Sequence, residues 1–147
     1  MQEQLVAIGP RTSFPLAGNK ISTEPSIPEE WLDEDYRQAA MESTVENLIA
    51  WQVRINREER DLTQAELARR MGTKQSAISK LEDPEGGDVL VSTLVKAAHA
   101  FDCALVIRFV DYGRFAVRTH DVAPSRLFAC GFGDLIQTNE VLQGPRP

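Results

Sequence analysis

The chain has 147 residues, of which 42% are hydrophobic, enough for one modest core with additional segments. No run is long or apolar enough to cross a membrane, and the N-terminus lacks the basic and apolar stretches of a secretory signal. Two distant cysteines and two histidines form no metal-ligand cluster. We therefore expect a cytoplasmic protein that uses no metal, cofactor or disulfide.

The net charge of −6 is unevenly distributed along the chain. Residues 1–47 carry three basic and nine acidic side chains, and residues 81–147 carry six basic and nine acidic ones. Residues 48–80 carry seven basic and four acidic side chains, a local excess of +3. Because salt screens charges beyond about 8–10 Å, this local excess governs attraction to a nearby polyanion.

The first part of the chain has no helical or strand periodicity. Residues 1–28 contain four prolines and predict a flexible arm. Pro28 followed by Glu29 and Glu30 predicts a helix start, so residues 29–47 are interpreted as an acidic helical extension with Trp31 and Tyr36 on its apolar side.

The middle of the chain, residues 48–102, has the periodicity of several short helices. One helix is predicted from Ser43 to Arg60, and the next begins at Thr63, where Glu66 completes a capping box. Gly72 ends that helix, and a further helix follows over residues 74–82. After a loop at 84–88, residues 91–101 predict a helix whose apolar stripe packs in the core: Val91, Leu94, Val95, Ala98 and Phe101.

Residues 103–120 change to strand-like alternation. Leu105, Ile107 and Phe109 alternate with their neighbours over residues 104–110, residues 111–114 resemble a turn, and residues 115–119 predict a second strand. A lone strand with an unpaired edge favours dimerisation through these three residues, whereas an internal hairpin is the alternative, and both are compatible. Residues 121–147 predict an irregular tail, with a helical turn near residues 124–127.

The segment from Thr63 to Asp83 resembles the phage repressor/Cro-type helix-turn-helix family, also called the xenobiotic-response-element type. The matching features are Thr63-Gln64, Leu67-Ala68, Gly72, the run Gln75-Ser76-Ala77-Ile78-Ser79, and Leu81-Glu82. The resemblance extends over about residues 48–109 and implies a mainly α fold. The expected architecture is a compact helical bundle containing the helix-turn-helix, followed by a short β-strand or hairpin for dimerisation.

The resemblance also implies a DNA interface, because the second helix of the motif enters the major groove. Residues expected to contact base edges are Gln75, Ser76 and Lys80; residues expected to contact phosphates are Gln64, Lys74, Ser79, Arg57 and Arg60. For the two arginines, a salt bridge within the domain is the alternative. Asn56 departs from the family pattern, in which a large apolar residue is common, and its amide is expected to loosen packing or to bond to nearby backbone.

The function predicted from these features is a dimeric, sequence-specific repressor that reads a palindromic operator in double-stranded DNA. One alternative is an antitoxin that represses its own operon and covers a basic toxin with its acidic segment. Another is a helix-turn-helix scaffold that has lost DNA binding. An enzyme is disfavoured because the sequence has no nucleophile–base pair, phosphate loop or metal set.

Overall fold

The computed structural model describes residues 27–138. This range contains a 3-10 helix at Glu29–Leu32 and seven α-helices, namely α1 (Glu34–Glu58), α2 (Gln64–Met71), α3 (Gln75–Leu81), α4 (Val91–Phe101), α5 (Tyr112–Arg118), α6 (Pro124–Leu127) and α7 (Phe132–Thr138). The described residues form two compact units, one of residues 27–45 with 107–126 and one of residues 46–106 with 127–138. Most of the predicted N-terminal arm, residues 1–26, lies outside the described range.

Helix α1 is longer than the predicted helix because it begins at the acidic run. The backbone N–H of Tyr36 donates to the carboxylate of Asp33 over 3.0 Å, so Asp33 caps the helix, and Glu34 and Asp35 lie in its first turn. Acidic side chains there interact favourably with the positive end of the helix dipole. The acidic extension and the first helix of the bundle are therefore one continuous helix.

The core of the second unit is built on the two short helices of the motif. Leu67 of α2 and Ile78 of α3 are its largest fully buried side chains. Val53 from α1, Met71 and Leu81 pack in the same cluster, so α2 and α3 share one inward face. Ala68 is also buried there, as expected for a small residue where two helices cross.

Helix α4 has the predicted bounds, but only part of its apolar stripe is in the core. Ala98 and Phe101 are buried, whereas Val91 and Val95 are exposed. The helix ends at Asp102, which adopts the left-handed conformation with φ of 55°. The prediction that the whole stripe packs internally was therefore wrong for Val91 and Val95, whereas Leu94 packs against the core.

The predicted β-strand or hairpin was wrong as well, since the described part of the chain contains no strand. Residues 104–110 have no regular secondary structure, and residues 112–118 form α5. Asp111 caps α5 by accepting the N–H of Arg114 over 2.8 Å. The rings of Tyr112 and Phe115 then pack against Trp31, with centroids 5.5 and 6.0 Å away. Their spacing of three positions places both rings on one face of the helix.

The segment predicted to be an irregular tail contains the short helices α6 and α7 within its described part. The backbone N–H of Phe132 donates to the carbonyl of Asp102 over 2.8 Å, so α7 begins against the end of α4. Both ends of this contact belong to the second unit. Residues 127–138 are thus anchored to the unit that contains the helix-turn-helix.

Candidate nucleic-acid interface

The geometry of the motif is set by the caps of α2. The hydroxyl of Thr63 accepts the backbone N–H of Glu66 over 3.1 Å, as the capping box predicts. At the other end Gly72 has φ of 69°, a conformation that is costly for residues with a Cβ. These two caps fix the length of α2 and the direction in which the chain turns into α3.

Helix α3 presents a polar face to solvent. Ile78 and Leu81 are buried, and this anchors one side of the helix to the core. The residues predicted to contact bases, Gln75, Ser76 and Lys80, are all exposed, and so are Lys74 and Ser79 from the predicted phosphate contacts. The amide, hydroxyl and ammonium groups of one helix therefore lie together on a single accessible surface.

A chain of hydrogen bonds connects the starts of α2 and α3. The Gln75 Nε2 donates to Gln64 Oε1 over 3.4 Å, and Gln64 Nε2 donates to Glu82 Oε1 over 3.2 Å. Glu82 in turn accepts two hydrogen bonds from Arg57, at 2.6 Å from Nε and 2.9 Å from Nη2. The first glutamine of the exposed helix is thus tied to a fixed charge pair inside the domain.

The Arg57–Glu82 pair is largely shielded from water, with side-chain exposures of 13% and 5%. The hydrogen bond to Glu82 raises the pKa of Arg57 above its ordinary value. Arg57 Nη1 also donates to the carbonyl of Leu62 over 2.8 Å, so its donors are directed inward. Arg57 thus forms the salt bridge within the domain that the sequence left open as the alternative to a phosphate contact.

The guanidinium of Arg60 also bonds to acceptors within the domain. Its Nη2 donates to the carbonyls of Phe101 and Ala129 over 2.8 and 2.6 Å, and its guanidinium carbon lies 4.9 Å from the centroid of the Phe101 ring. Nη1 donates to the carbonyl of Asn56 over 2.9 Å. Because these internal acceptors occupy the guanidinium, we leave Arg60 and Arg57 out of the proposed DNA contacts.

Asn56 is a buried residue whose side-chain amide bonds to three backbone groups. It is 6% exposed, and its Nδ2 donates to the carbonyl of Leu127 over 2.9 Å. Its Oδ1 accepts the N–H of Ala129, also over 2.9 Å. Asn56 Nδ2 also donates to the carbonyl of Gln52 over 2.8 Å, which confirms the predicted bond to nearby backbone. The other two backbone partners lie more than 70 residues away, and the sequence did not reveal them.

The loop after α3 passes close to the end of that helix. A Cβ added to Gly86 would lie only 2.1 Å from the carbonyl oxygen of Lys80. The loop therefore requires glycine at this position, and its backbone approaches α3 at a distance that no side chain permits. The sequence signal for this approach is the Gly86-Gly87 pair.

The three residues predicted to mediate dimerisation lie in residues 104–110. Leu105 and Ile107 are exposed by 40% and 61%, and the Phe109 side chain is fully exposed. In the described part of the chain, no hydrogen bond engages the backbone of residues 104–110. This segment is thus apolar, accessible and unpaired.

Other classes of site receive no support from the described residues. Residues 27–138 contain no group of three or more metal-ligating side chains and no helix suited to spanning a membrane. Cys103 and Cys130 are free thiols, and burial is the largest factor that raises the pKa of Cys103.

A comparison with protein families agrees with this geometry. The family model described as helix-turn-helix matches residues 53–107, which include α2, α3 and α4. No curated protein and no solved structure matches the chain. Residues 53–107 therefore match a helix-turn-helix domain of the phage repressor/Cro type, and this match supports a DNA-binding role in transcriptional regulation.

Proposed function

We propose that this regulator is a dimeric, sequence-specific repressor that reads a palindromic operator with α3 in the major groove. The observation that carries the proposal is the exposed polar face of α3, held in place by the buried Ile78 and Leu81. A helix fixed on one side and polar on the other suits insertion into a groove about 12 Å wide.

Base recognition is assigned to Gln75, Ser76 and Lys80. One N–H of the Gln75 amide is engaged by Gln64, which leaves its oxygen and its second N–H for an adenine edge. The bond to Gln64 restricts the rotamers of Gln75 before DNA arrives, which lowers the entropy lost on binding. Ser76 and Lys80 lie on the same exposed surface and are suited to further base edges, Lys80 to guanine.

Phosphate contacts are assigned to Gln64, Lys74 and Ser79. Gln64 is half-buried at the start of α2, where backbone N–H groups and the helix dipole favour an anion. Lys74 and Ser79 are exposed at the start and middle of the recognition helix. These contacts would set the register of the domain on the duplex, while the base contacts would supply the specificity.

Dimerisation is assigned to residues 104–110, whose unpaired backbone and exposed Leu105, Ile107 and Phe109 would be covered by a second copy. Two recognition helices on a two-fold symmetric dimer read half-sites about 34 Å apart. Occupation of such an operator would exclude other proteins from the same DNA, which is the basis for proposing a repressor.

Selection of bound duplexes from a random library tests this function. We expect enrichment of an inverted repeat whose half-site centres are separated by about one helical turn or a multiple of it. Reporter expression from a promoter that overlaps the selected site should fall when the protein is present. No enrichment over the starting library would contradict sequence-specific binding, and a single isolated half-site would contradict the dimer.

A second candidate function is an antitoxin that binds a basic toxin as well as its own operator. The observation that favours it is the surface at the start of α1, where Leu32 and Tyr36 are exposed beside the acidic run Asp33-Glu34-Asp35. A basic partner would match this charge and cover the two apolar side chains. Co-expression with the protein encoded by a neighbouring gene should yield a stable complex that is lost in a Leu32→Lys/Tyr36→Lys variant. Normal growth and no complex when both genes are expressed would contradict the antitoxin role.

A further inference from the structure

Both cysteines of the chain line one cavity in the second unit. Cys103 follows the end of α4, Cys130 precedes α7, and both are half-buried free thiols. The cavity has a volume of about 860 Å³, and the two cysteines are among the residues that line it. Because neither thiol is fully buried, a small oxidant such as a peroxide can reach the space that they share.

The segments that carry the cysteines are in direct backbone contact. The N–H of Phe132 donates to the carbonyl of Asp102 over 2.8 Å. A Cβ added to Gly131 would lie 3.5 Å from the carbonyl oxygen of Phe101 and 3.7 Å from the Cβ of Asp102. Each cysteine is the chain neighbour of a residue in this contact. A disulfide joins cysteines whose Cα atoms lie about 4.4–6.8 Å apart, a range that only segments in such close contact can reach.

A side chain from α1 holds the same two segments together. Arg60 Nη2 donates to the carbonyls of both Phe101 and Ala129, over 2.8 and 2.6 Å. This one nitrogen thus bridges the backbone just before Cys103 and the backbone directly before Cys130. Holding two reacting groups in one place favours a bond between them over a bond to another molecule.

The position of the cysteines along the chain gives a disulfide a structural effect. The chain leaves the second unit after residue 106 and returns to it at residue 127. Cys103 lies just before the exit, and Cys130 lies just after the return. A disulfide would therefore close the loop of residues 104–129 and fix both of its ends in the second unit.

We propose that Cys103 and Cys130 form a modification site, a dithiol that peroxides oxidise to a reversible intramolecular disulfide. The sequence, in which the two cysteines are far apart, predicted no disulfide, whereas the fold brings them to one cavity. The free thiols are the resting form under reducing conditions, and the disulfide forms on oxidation. The site is independent of the proposed repressor function and uses none of the residues assigned to DNA.

The oxidation takes place in two steps. Burial, with a smaller contribution from Cys130, raises the pKa of Cys103, so the attack on the peroxide is assigned to Cys130. Its sulfur forms an S–O bond, the O–O bond breaks, and the released hydroxide leaves as water with the proton that Cys130 gave up. The Cys103 sulfur then attacks the sulfenic acid, so that the S–S bond forms, the S–O bond breaks, and the Cys103 proton leaves in a second water. Two thiols and one hydrogen peroxide thus give one disulfide and two waters.

The redox equilibrium tests whether the fold brings the thiols together. The full chain is equilibrated with mixtures of reduced and oxidised glutathione, and the fraction that carries an intramolecular disulfide is measured with and without urea. The equilibrium constant should be at least about tenfold greater in native buffer than in denaturing urea, because only the folded chain holds the thiols side by side. An equal or smaller constant in native buffer overturns the proposal.

Mass spectrometry of the full chain identifies the product. After brief treatment with hydrogen peroxide in native buffer, the chain should lose the mass of two hydrogen atoms, and dithiothreitol should restore it. Neither of the single variants Cys103→Ser and Cys130→Ser should show this loss. A native chain that gains oxygen or forms linked dimers, without losing hydrogen, overturns the site.

The two single variants also test the order of attack. Circular dichroism first establishes that both are folded. With dimedone present to trap sulfenic acid, Cys103→Ser should be labelled at least about threefold more than Cys130→Ser, because it retains the attacking thiol. Equal labelling of the two variants overturns the assignment of the first step to Cys130.

Discussion

Asn56→Leu is the substitution that most directly probes how residues 127–129 are attached to the helix-turn-helix domain. Leucine has a similar volume but cannot bond to the carbonyl of Leu127 or to the N–H of Ala129, which both lie 2.9 Å from the amide. A buried backbone group left without a partner costs about 1–3 kcal/mol. Burial of the leucine side chain offsets about 1.5–3 kcal/mol of that loss.

Two unpaired backbone groups cost about 4 kcal/mol at the middle of that range, and the leucine offsets about 2 kcal/mol of it, so the free energy of unfolding in urea denaturation should be lower by about 2 kcal/mol. Hydrogen exchange at the Ala129 amide should become at least about tenfold faster, because the segment opens locally before the core unfolds. Gln38→Leu is the matched control: Gln38 is exposed on the same helix and donates only to Glu34, so its effect should stay within about 0.5 kcal/mol. Unchanged stability together with unchanged exchange at Ala129 would refute the role assigned to Asn56.

Three further outcomes follow from single contacts. Gly86→Ala should lower the free energy of unfolding by about 1–3 kcal/mol, because the new Cβ would lie 2.1 Å from the Lys80 carbonyl oxygen; a neutral effect in urea denaturation would contradict this close approach. Arg57→Met should cost about 3–5 kcal/mol in the same assay, since it leaves the shielded Glu82 carboxylate unpaired, and a loss below about 1 kcal/mol would count against a structural pair. NMR titration of Asp111 should give a pKa below the ordinary value of about 3.9, because the capped N–H stabilises the carboxylate. With a depressed folded-state pKa, this contribution to stability is present above pH of about 3.9 and is lost as the pH falls through the folded value; a pKa at or above 3.9 would oppose it.

The helix-turn-helix was predictable from sequence because its determinants are local. Thr63 accepts the backbone N–H of Glu66, which is one half of the predicted capping box, and Gly72 ends α2 in the left-handed conformation. The buried positions repeat at helical spacing within each helix, Leu67 with Met71 in α2 and Ile78 with Leu81 in α3. The exposed polar face of α3 was predictable for the same reason, and its contacts with DNA remain predictions.

The errors arise where distant residues decide the local structure. Residues 115–119 were predicted to form a strand after a turn at 111–114, whereas residues 112–118 form helix α5. Trp31, some 80 positions earlier, packs against Tyr112 and Phe115 of that helix. The hydrogen bonds of Arg60 could not be predicted from the sequence either, because two of its acceptors, the carbonyls of Phe101 and Ala129, lie far away along the chain. Local periodicity carries no information about such contacts.

The central claim, base readout by α3, is tested most directly by comparing Gln75→Ala with the native chain on two duplexes at one fixed salt concentration. Fluorescence anisotropy gives the dissociation constants for the selected operator and for a scrambled duplex of the same length. Base readout predicts that Gln75→Ala loses about 1–3 kcal/mol on the operator, roughly a 5- to 150-fold weaker affinity, and changes less than about twofold on the scrambled duplex. Equal losses on both duplexes, or no loss on either, would contradict it.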